Sequence, residues 1–478
     1  VGEVKNGLKK FMDKTHIIIG NQLIYNGDIS FFREIIAPEL TFDNPKFIEA
    51  TKAGRSTYGL LPVIKNFKVL SDKSILIPKG YKDRLAELFS IHNVEYTYED
   101  QRVLIPLDKT LEHDIKLRPY QRKALATIGR FTEGLLIAPA GSGKTVMGIS
   151  LTIMSGQKTL WLTHTNNLAT QYRSRFEQFI SNLQKEDVGF IGGGKVVIGN
   201  ITTVGLIQTL VRRPALLEEL SEQFGIVIVD ECHHTPATTF TKVATTLKAN
   251  YLFGLTATPY RRDGLENIMY QNIGPIRYIV NREDVHATSG VIIPTVKPIY
   301  LYTNNIDETN YQTILTSLID NHQRNQIIIN NILKDYHSGN IIIVVTDRRR
   351  HAEILFDLLK DKANFGIATG SYKKEHCEQA VEDLEQNKIR GLVCTSQLLG
   401  EGFDHPPLNR LHITLPFRNI AKCEQLVGRI QRPAEGKTDA CIYDYVDVTS
   451  GLLKHQFKNP GNKGCRYNVY KNLGCHIK

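Results

Sequence analysis

Between residues 111 and 280, short apolar runs alternate with polar stretches of helical pattern. The runs at 134–139 (GLLIAP), 159–164 (TLWLTH), 196–203 (VVIGNITT), 224–230 (FGIVIVD) and 251–258 (YLFGLTAT) are mostly rich in β-branched residues and end in small or polar ones. Continuous apolar runs of this length predict parallel strands buried on both faces. The pattern repeats at 341–345 (IIIVV), 365–368, 391–395 (GLVCT), 411–415 and 440–446. Two successive α/β units of about 160 residues each are expected, at 111–281 and 282–448. Open parallel sheets bind ligands at the C-terminal ends of their strands, so chemistry-bearing residues should gather there.

The first 110 residues have a different rhythm. The segment VIKNFKVL–SDK–SILIP predicts a hairpin, YKDRLAELFSIH an amphipathic helix, and NVEYTYEDQRVLIP a further strand. A small α+β accessory domain is expected over 1–110. Residues 311–337 predict one helix leading into the second α/β unit, and residues 449–478 are expected as a basic C-terminal tail.

Composition narrows the class. Hydrophobic residues are 41% and charged residues 23% of 478, the balance of a globular protein. No apolar run of about 18 residues is present, which excludes a spanning helix of ordinary length. The N-terminus lacks an apolar signal core, and Met12 is a candidate start. Seven scattered cysteines without a CxxC pair suggest neither a zinc site nor a disulfide framework, and reduced thiols in an intracellular setting are expected.

The net charge of +10 is concentrated in two segments. Residues 449–478 hold six Lys or Arg and no acid, and residues 46–84 hold nine against three acids. Such segments can displace counterions from a phosphate backbone, the sequence-independent part of nucleic-acid binding.

The strongest local signal is Ala138 to Thr145 (APAGSGKT), between an apolar run and a helical stretch. A glycine-rich turn points successive N–H groups at a phosphate, and the following helix N-terminus adds its dipole. Ala140, Gly141, Ser142 and Gly143 would form the cradle. Lys144 would neutralise the outer phosphates, and the Thr145 hydroxyl would hold magnesium. Asp230 and Glu231 close the run FGIVIVD. Asp230 is expected on magnesium and Glu231 as the base that polarises the attacking water. ATP and a magnesium ion are the expected cofactors.

A second pattern, Gln425 to Arg432 (QLVGRIQR), puts Gln425, Gly428, Arg429 and Arg432 on one face if it is helical throughout. Guanidiniums on such a face can stabilise charge on a departing phosphoryl group. The segment Leu117 to Gln121 (LRPYQ) is a helix start with Pro near its first position.

With these elements in place, residues 111–448 resemble superfamily 2 helicases, and within them the XPB-type subgroup that includes phage recombination and branch-migration helicases of the UvsW kind. The resemblance implies two tandem RecA-like parallel-sheet lobes. It assigns Arg118 and Gln121 to adenine reading, Gly402 and Asp404 to the nucleotide side of the second lobe, and Arg429 and Arg432 to arginine-finger contacts across a cleft. His233, Thr256 and Thr258 would couple the ATP state to lobe closure. Thr163 and Thr165, Thr202 and Thr203, Arg348, and Thr395 with Ser396 would contact the nucleic-acid backbone. Hydroxyls and charges on phosphate suit a motor that must pass over any sequence. Arg261, Arg262 and Asp263 lie where the subgroup carries Arg-Glu-Asp, an imperfect match.

The expected function is an ATP-dependent DNA helicase or translocase that remodels branched or forked DNA. Its partners would be forked, branched or single-stranded DNA, together with recombination or replication proteins, in a bacterial or phage-infected cytoplasm. An RNA helicase and a non-unwinding, ATP-gated DNA-binding module are the alternatives, because a phosphate-gripping core serves either nucleic acid.

Overall fold

The computed structural model describes residues 14–478 except 140, 233–241, 244, 258–263, 305, 397–402, 404, 418 and 460–464. They divide into two compact units, one ending at Val280 and the other beginning at Asn281, with residues 140–142 at a loop tip grouped with the second.

The first unit is built on an eight-stranded sheet. Its spatial order is Lys195–Val197, Val188–Gly192, Thr202–Leu206, Thr159–Thr163, Ile226–Asp230, Tyr251–Thr256, Glu133–Ile137 and Ile276–Ile279. Every neighbouring pair is parallel except the first, an antiparallel edge. The strands Glu133–Ile137, Thr159–Thr163, Thr202–Leu206 and Ile226–Asp230 are buried along their whole length, the reason their sequences do not alternate. Within the run 196–203, Gly199 turns the chain, and a Cβ there would lie 2.3 Å from the Thr202 carbonyl. The single strand expected over this run is therefore two strands on either side of a tight turn.

A five-stranded accessory sheet precedes it in the same unit, ordered Lys68–Val69, Ser74–Ile77, Leu23–Asn26, Thr15–Ile19 and Tyr96–Asp100. The helix Lys82–Ile91 buries Leu85, Leu88 and Phe89 against it. The expected hairpin forms only in part. Lys68–Val69 pairs with Ser74–Ile77, whereas Val63–Lys65 leaves to pair with Thr41–Asp43 in a separate ribbon.

The accessory sheet is fastened to the larger one by buried polar contacts. Lys79 is 3% exposed and donates to the Ala249 carbonyl at 2.5 Å. Lys82 pairs with buried Glu133 at 3.0 Å, and Gln271 donates to the Glu39 carbonyl at 2.8 Å. A Cβ on Gly80 would fall 2.2 Å from the Gly274 nitrogen, so the two backbones meet where only glycine fits. Residues beyond Asp100 strap the larger sheet through bridges Val103–Ala249, Pro106–Gln157 and His113–Ile180.

The second unit is a seven-stranded, wholly parallel sheet. Its order is Phe365–Ala368, Gly391–Thr395, Ile342–Thr346, Arg410–Ile413, Cys441–Asp447, Thr295–Leu301 and His476–Ile477. The expected helix over 311–337 is two helices, Tyr311–Asp320 and His322–His337. Extended Asn321 breaks it and caps the second by accepting from the Arg324 N–H.

The segment 449–478 is part of this fold rather than a tail. Helices Gly451–Phe457 and Arg466–Asn472 bury Leu453, Phe457, Val469 and Tyr470, and His476–Ile477 is the sheet's last strand. Arg466 is buried, with Nε and Nη2 on the two Asp444 oxygens at 2.7 and 2.9 Å. A guanidinium held this way is internal and unavailable to a phosphate backbone. No described helix is long and apolar enough to cross a membrane.

Candidate nucleotide and nucleic-acid sites

The strand order of the first unit brings the expected nucleotide residues to one edge. Ile137 lies opposite Thr256, and Leu255 opposite Asp230, so three adjacent strands end together. The first runs into the phosphate loop. Gly143 there has φ 78°, a conformation that favours glycine, and the Gln121 amide nitrogen lies against it, 2.6 Å from where a Cβ would stand. The helix Lys144–Ser155 begins directly after it. Gly148 lets that helix approach Trp161, whose ring would be 2.5 Å from a Cβ.

Lys144 Nζ donates to the Ala138 carbonyl at 3.3 Å and sits 3.3 Å from Glu231 Oε1. Its ammonium thus bridges the phosphate loop and the strand end that carries the acids. Asp230 is 6% exposed and accepts from the Glu231 N–H at 3.0 Å. Burial, and then the Glu231 charge, push its carboxyl well above the usual range, with Lys144 opposing. Glu231 has φ 45°, a left-handed conformation that costs a non-glycine residue about 1 kcal/mol or more. That strain turns the chain sharply between the two acids. Hydroxyl and carboxylate oxygens, from Thr145 in the first helical turn and from Asp230, are the hard donor set that magnesium prefers.

Arg118 and Gln121 start the helix Pro119–Ile128. Gln121 Oε1 accepts from the Arg118 N–H at 2.9 Å, and Arg118 Nη1 donates to the Tyr120 hydroxyl at 3.1 Å. The Gln121 amide is thereby fixed, with its nitrogen against the phosphate loop. Thr256 is buried at its strand end, and its carbonyl accepts from the Ala138 N–H at 2.8 Å. Ala140, His233, Thr258, Gly402 and Asp404, with Arg261 to Asp263, lie outside the described residues.

In the second unit, Gln425 and Arg429 are half-buried on the helix Ile420–Ile430. Arg432 lies beyond that helix, so the single helical face expected for the motif covers only its first part. Lys437 supports the segment after the helix. Its ammonium donates to the carbonyls of Ile430 at 2.7 Å, Arg432 at 2.8 Å and Pro406 at 3.0 Å. It thus joins the end of the arginine helix to the loop beyond position 404. Sequence reasoning missed this residue, because nothing local marks a lysine that acts through carbonyls distant in sequence.

The expected nucleic-acid contacts divide. Thr163, Thr202 and Thr203 are fully buried. Thr202 shares a hydrogen bond with the Tyr172 hydroxyl at 2.9 Å, and Thr203 accepts from the Gly199 N–H at 2.9 Å. The Thr202 and Thr203 hydroxyls are thus engaged inside the fold, whereas the buried Thr163 hydroxyl has no hydrogen-bond partner among the described residues. Thr165 caps the helix Asn166–Phe179 by accepting from the Leu168 N–H at 3.3 Å, and stays half-exposed. Arg348 is half-buried and bonds Gln312, while Thr395 is half-buried at its strand end. Ser396 donates to Asp347, which also pairs with Lys422. Lys422 lies 4.1 Å from the Phe417 ring centroid, and burial lowers its ammonium pKa.

The basic segment 46–84 also divides. Lys79 is interior, while Lys82 and Arg84 pair with Glu133 and Glu39. Lys46, Lys52, Arg55, Lys65, Lys68 and Lys73 are exposed.

Two family models match, "Type III restriction enzyme, res subunit" over residues 114–261 and "Helicase conserved C-terminal domain" over 323–434, together more than half of the chain. A mimivirus protein named as an ATP-dependent RNA helicase is 27% identical over 83% of this chain and 75% of its own length. Helicase D10 of Escherichia phage T5 is 27% identical over 82% of this chain and 85% of its own. The DNA 3'-5' translocase XPB2 of Sulfurisphaera tokodaii is 28% identical over 58% of this chain and 60% of its own. Among solved structures, S. cerevisiae Dbp5 shares the fold, with a TM-score of 0.53 at 14% identity over 76% of this chain and 90% of that one. Two parallel-sheet units, each matched by one of these family models, have one reading: the chain is an ATP-hydrolysing helicase of superfamily 2, similar to relatives named XPB.

Proposed function

We propose that this helicase acts on DNA and remodels forked or branched substrates. The observation that carries the proposal is the set of exposed cations between Lys46 and Lys73 on a module fixed to the first unit. Exposed cations can release counterions from a phosphate backbone. Support also comes from the relative named as a DNA 3'-5' translocase. The relative named for RNA keeps RNA as the second reading. The deciding experiment measures ATPase stimulation side by side with single-stranded DNA, forked DNA, four-way junctions and RNA. Stimulation greatest with forks or junctions is expected; stimulation greatest with RNA overturns the proposal.

In the proposed cycle, Gly141 to Thr145 would hold the phosphates, Thr145 and Asp230 would hold a magnesium ion, and Glu231 would take a proton from the attacking water. The ion would supply neutralisation of phosphate charge. Arg429 and Arg432 would stabilise charge on the departing γ-phosphate.

Lys437 would set the position of Arg432, and this has a pH signature. Burial, and then the Arg432 charge, lower its ammonium to about 8, with Asp439 opposing. A charged ammonium in this setting costs folding stability, so the fold gains slightly as pH rises through about 8. Positioning runs the other way, because a neutral amine keeps two N–H donors for three carbonyls. Wild-type turnover is expected to decline above pH about 8, whereas Lys437→Arg holds its rate. Identical alkaline limbs in the two proteins would remove Lys437 from this role.

A further inference from the structure

The accessory ribbon displays an aromatic side chain that the fold does not use. Tyr58 is 98% exposed and Leu61 is 73% exposed, in the loop between the helix Pro45–Lys52 and the strand Val63–Lys65. Single exposed hydrophobics are ordinary on flexible surfaces and need no explanation. This loop, however, is built. The helix ends with Gly54 at φ 62° and the Arg55 N–H on the Ala50 carbonyl at 2.8 Å, a six-residue closure. The turn 57–60 is closed by the Leu60 N–H on the Thr57 carbonyl at 2.9 Å, with Gly59 at φ 77° in its third position as a type II turn requires. Tyr58 occupies the second position, and its N–H donates to the Ser56 hydroxyl at 3.2 Å. The return strand is pinned by Asn44, whose side-chain amide donates to the Leu61 carbonyl at 2.7 Å and whose N–H donates to the Pro62 carbonyl at 2.9 Å.

Cations lie on the elements that flank this turn in sequence. Lys46, Lys52, Arg55 and Lys65 are exposed on the same ribbon and helix, with Arg55 engaged by Glu49 at 2.7 Å. A fixed, solvent-facing aromatic among cations has the chemistry of a base-stacking platform. The ring takes the face of a base, and the cations take the flanking phosphates. A continuous duplex offers no free base face except at its ends, whereas a junction does.

We infer that Tyr58, with Leu61 beside it, stacks on an unpaired or terminal base at a DNA junction, making the turn 57–61 the junction-reading element of the accessory module. This rests on the reading of the chain as a branched-DNA motor, and names the element that senses the branch.

The full-length chain tests it. Tyr58→Ala is expected to weaken binding to forked DNA by roughly 10-fold, the scale of one lost base–aromatic stack. Single-strand-stimulated ATPase should stay within about twofold, and Tyr58→Phe should keep wild-type fork binding. The chain has one tryptophan, Trp161, which is fully buried, so Tyr58→Trp adds an isolated reporter. Its emission should be quenched by forked DNA and much less by closed circular duplex, which has no ends. Tyr58→Ala binding forks like wild type, or an unquenched Trp in a variant that still binds forks, overturns the inference alone. Wild-type chain that neither binds nor responds to any DNA overturns it together with the reading beneath it. Quenching by single-stranded RNA in preference to forked DNA would likewise sink it.

Discussion

Arg432→Ala is expected to lower ATP turnover by about 10³-fold or more, the scale of a lost arginine finger, while ATP affinity changes only modestly. The asymmetry follows from where the guanidinium acts. A contact that strengthens only as charge accumulates on the departing phosphoryl group lowers the barrier without greatly stabilising the bound nucleotide. Single-turnover hydrolysis with saturating ATP, beside equilibrium nucleotide binding, separates the two. Arg432 lies past the end of its helix, on a segment whose carbonyls are held by Lys437. The substitution therefore removes a side chain without disturbing the helix. An unchanged hydrolysis rate would withdraw the finger assignment.

Lys144→Ala is expected to abolish measurable ATP turnover and leave nucleic-acid binding within about twofold. Loss of one fixed charge aimed at developing negative charge costs on the order of 10²–10³ in rate, and this lysine also orients the phosphates in the ground state. Its ammonium bridges the Ala138 carbonyl and Glu231, so its loss leaves two neighbouring carboxylates, Asp230 and Glu231, without their nearest cation. Modest destabilisation is expected, and circular dichroism with thermal melting distinguishes it from unfolding. Retained turnover would overturn the phosphate-loop assignment. Retained filter binding of single-stranded DNA alongside lost turnover separates the motor's grip from its fuel.

The glycine turn before the helix Lys144–Ser155 and the acid pair closing the strand Ile226–Asp230 were legible as structure because their patterns are local. A glycine-flanked turn between strand and helix specifies its own backbone, and an acid at the end of an apolar run specifies its own place. The central strands were legible for a related reason, since burial on both faces leaves no polar alternation. What stayed hidden depended on distant partners. Thr202 and Thr203 carry hydroxyls that serve a core as readily as a ligand, and their partners Tyr172 and Gly199 are placed only by folding. The segment 449–478 is basic and polar in sequence, yet Arg466 is drawn inside by Asp444, a strand residue more than twenty positions earlier. Composition counted that charge as external. Lys79 was miscounted for the same reason, because its partner is a backbone carbonyl at Ala249.

That buried lysine has a mechanical meaning. The seam of Lys79, Lys82, Glu133 and the Gly80–Gly274 contact leaves little slack between the accessory sheet and the sheet that carries the phosphate loop. A chisel set firmly in its handle delivers the whole blow, whereas one hung from a cord does not. Any displacement that ATP turnover gives the larger sheet would thus arrive at the accessory sheet almost undiminished. The same fastening makes the accessory part hard to lend to another motor. A transplanted copy would bring the buried Lys79 to a surface with no carbonyl to receive it, and leaving a buried polar group unsatisfied costs about 1–3 kcal/mol. Blade and handle can therefore change only in step.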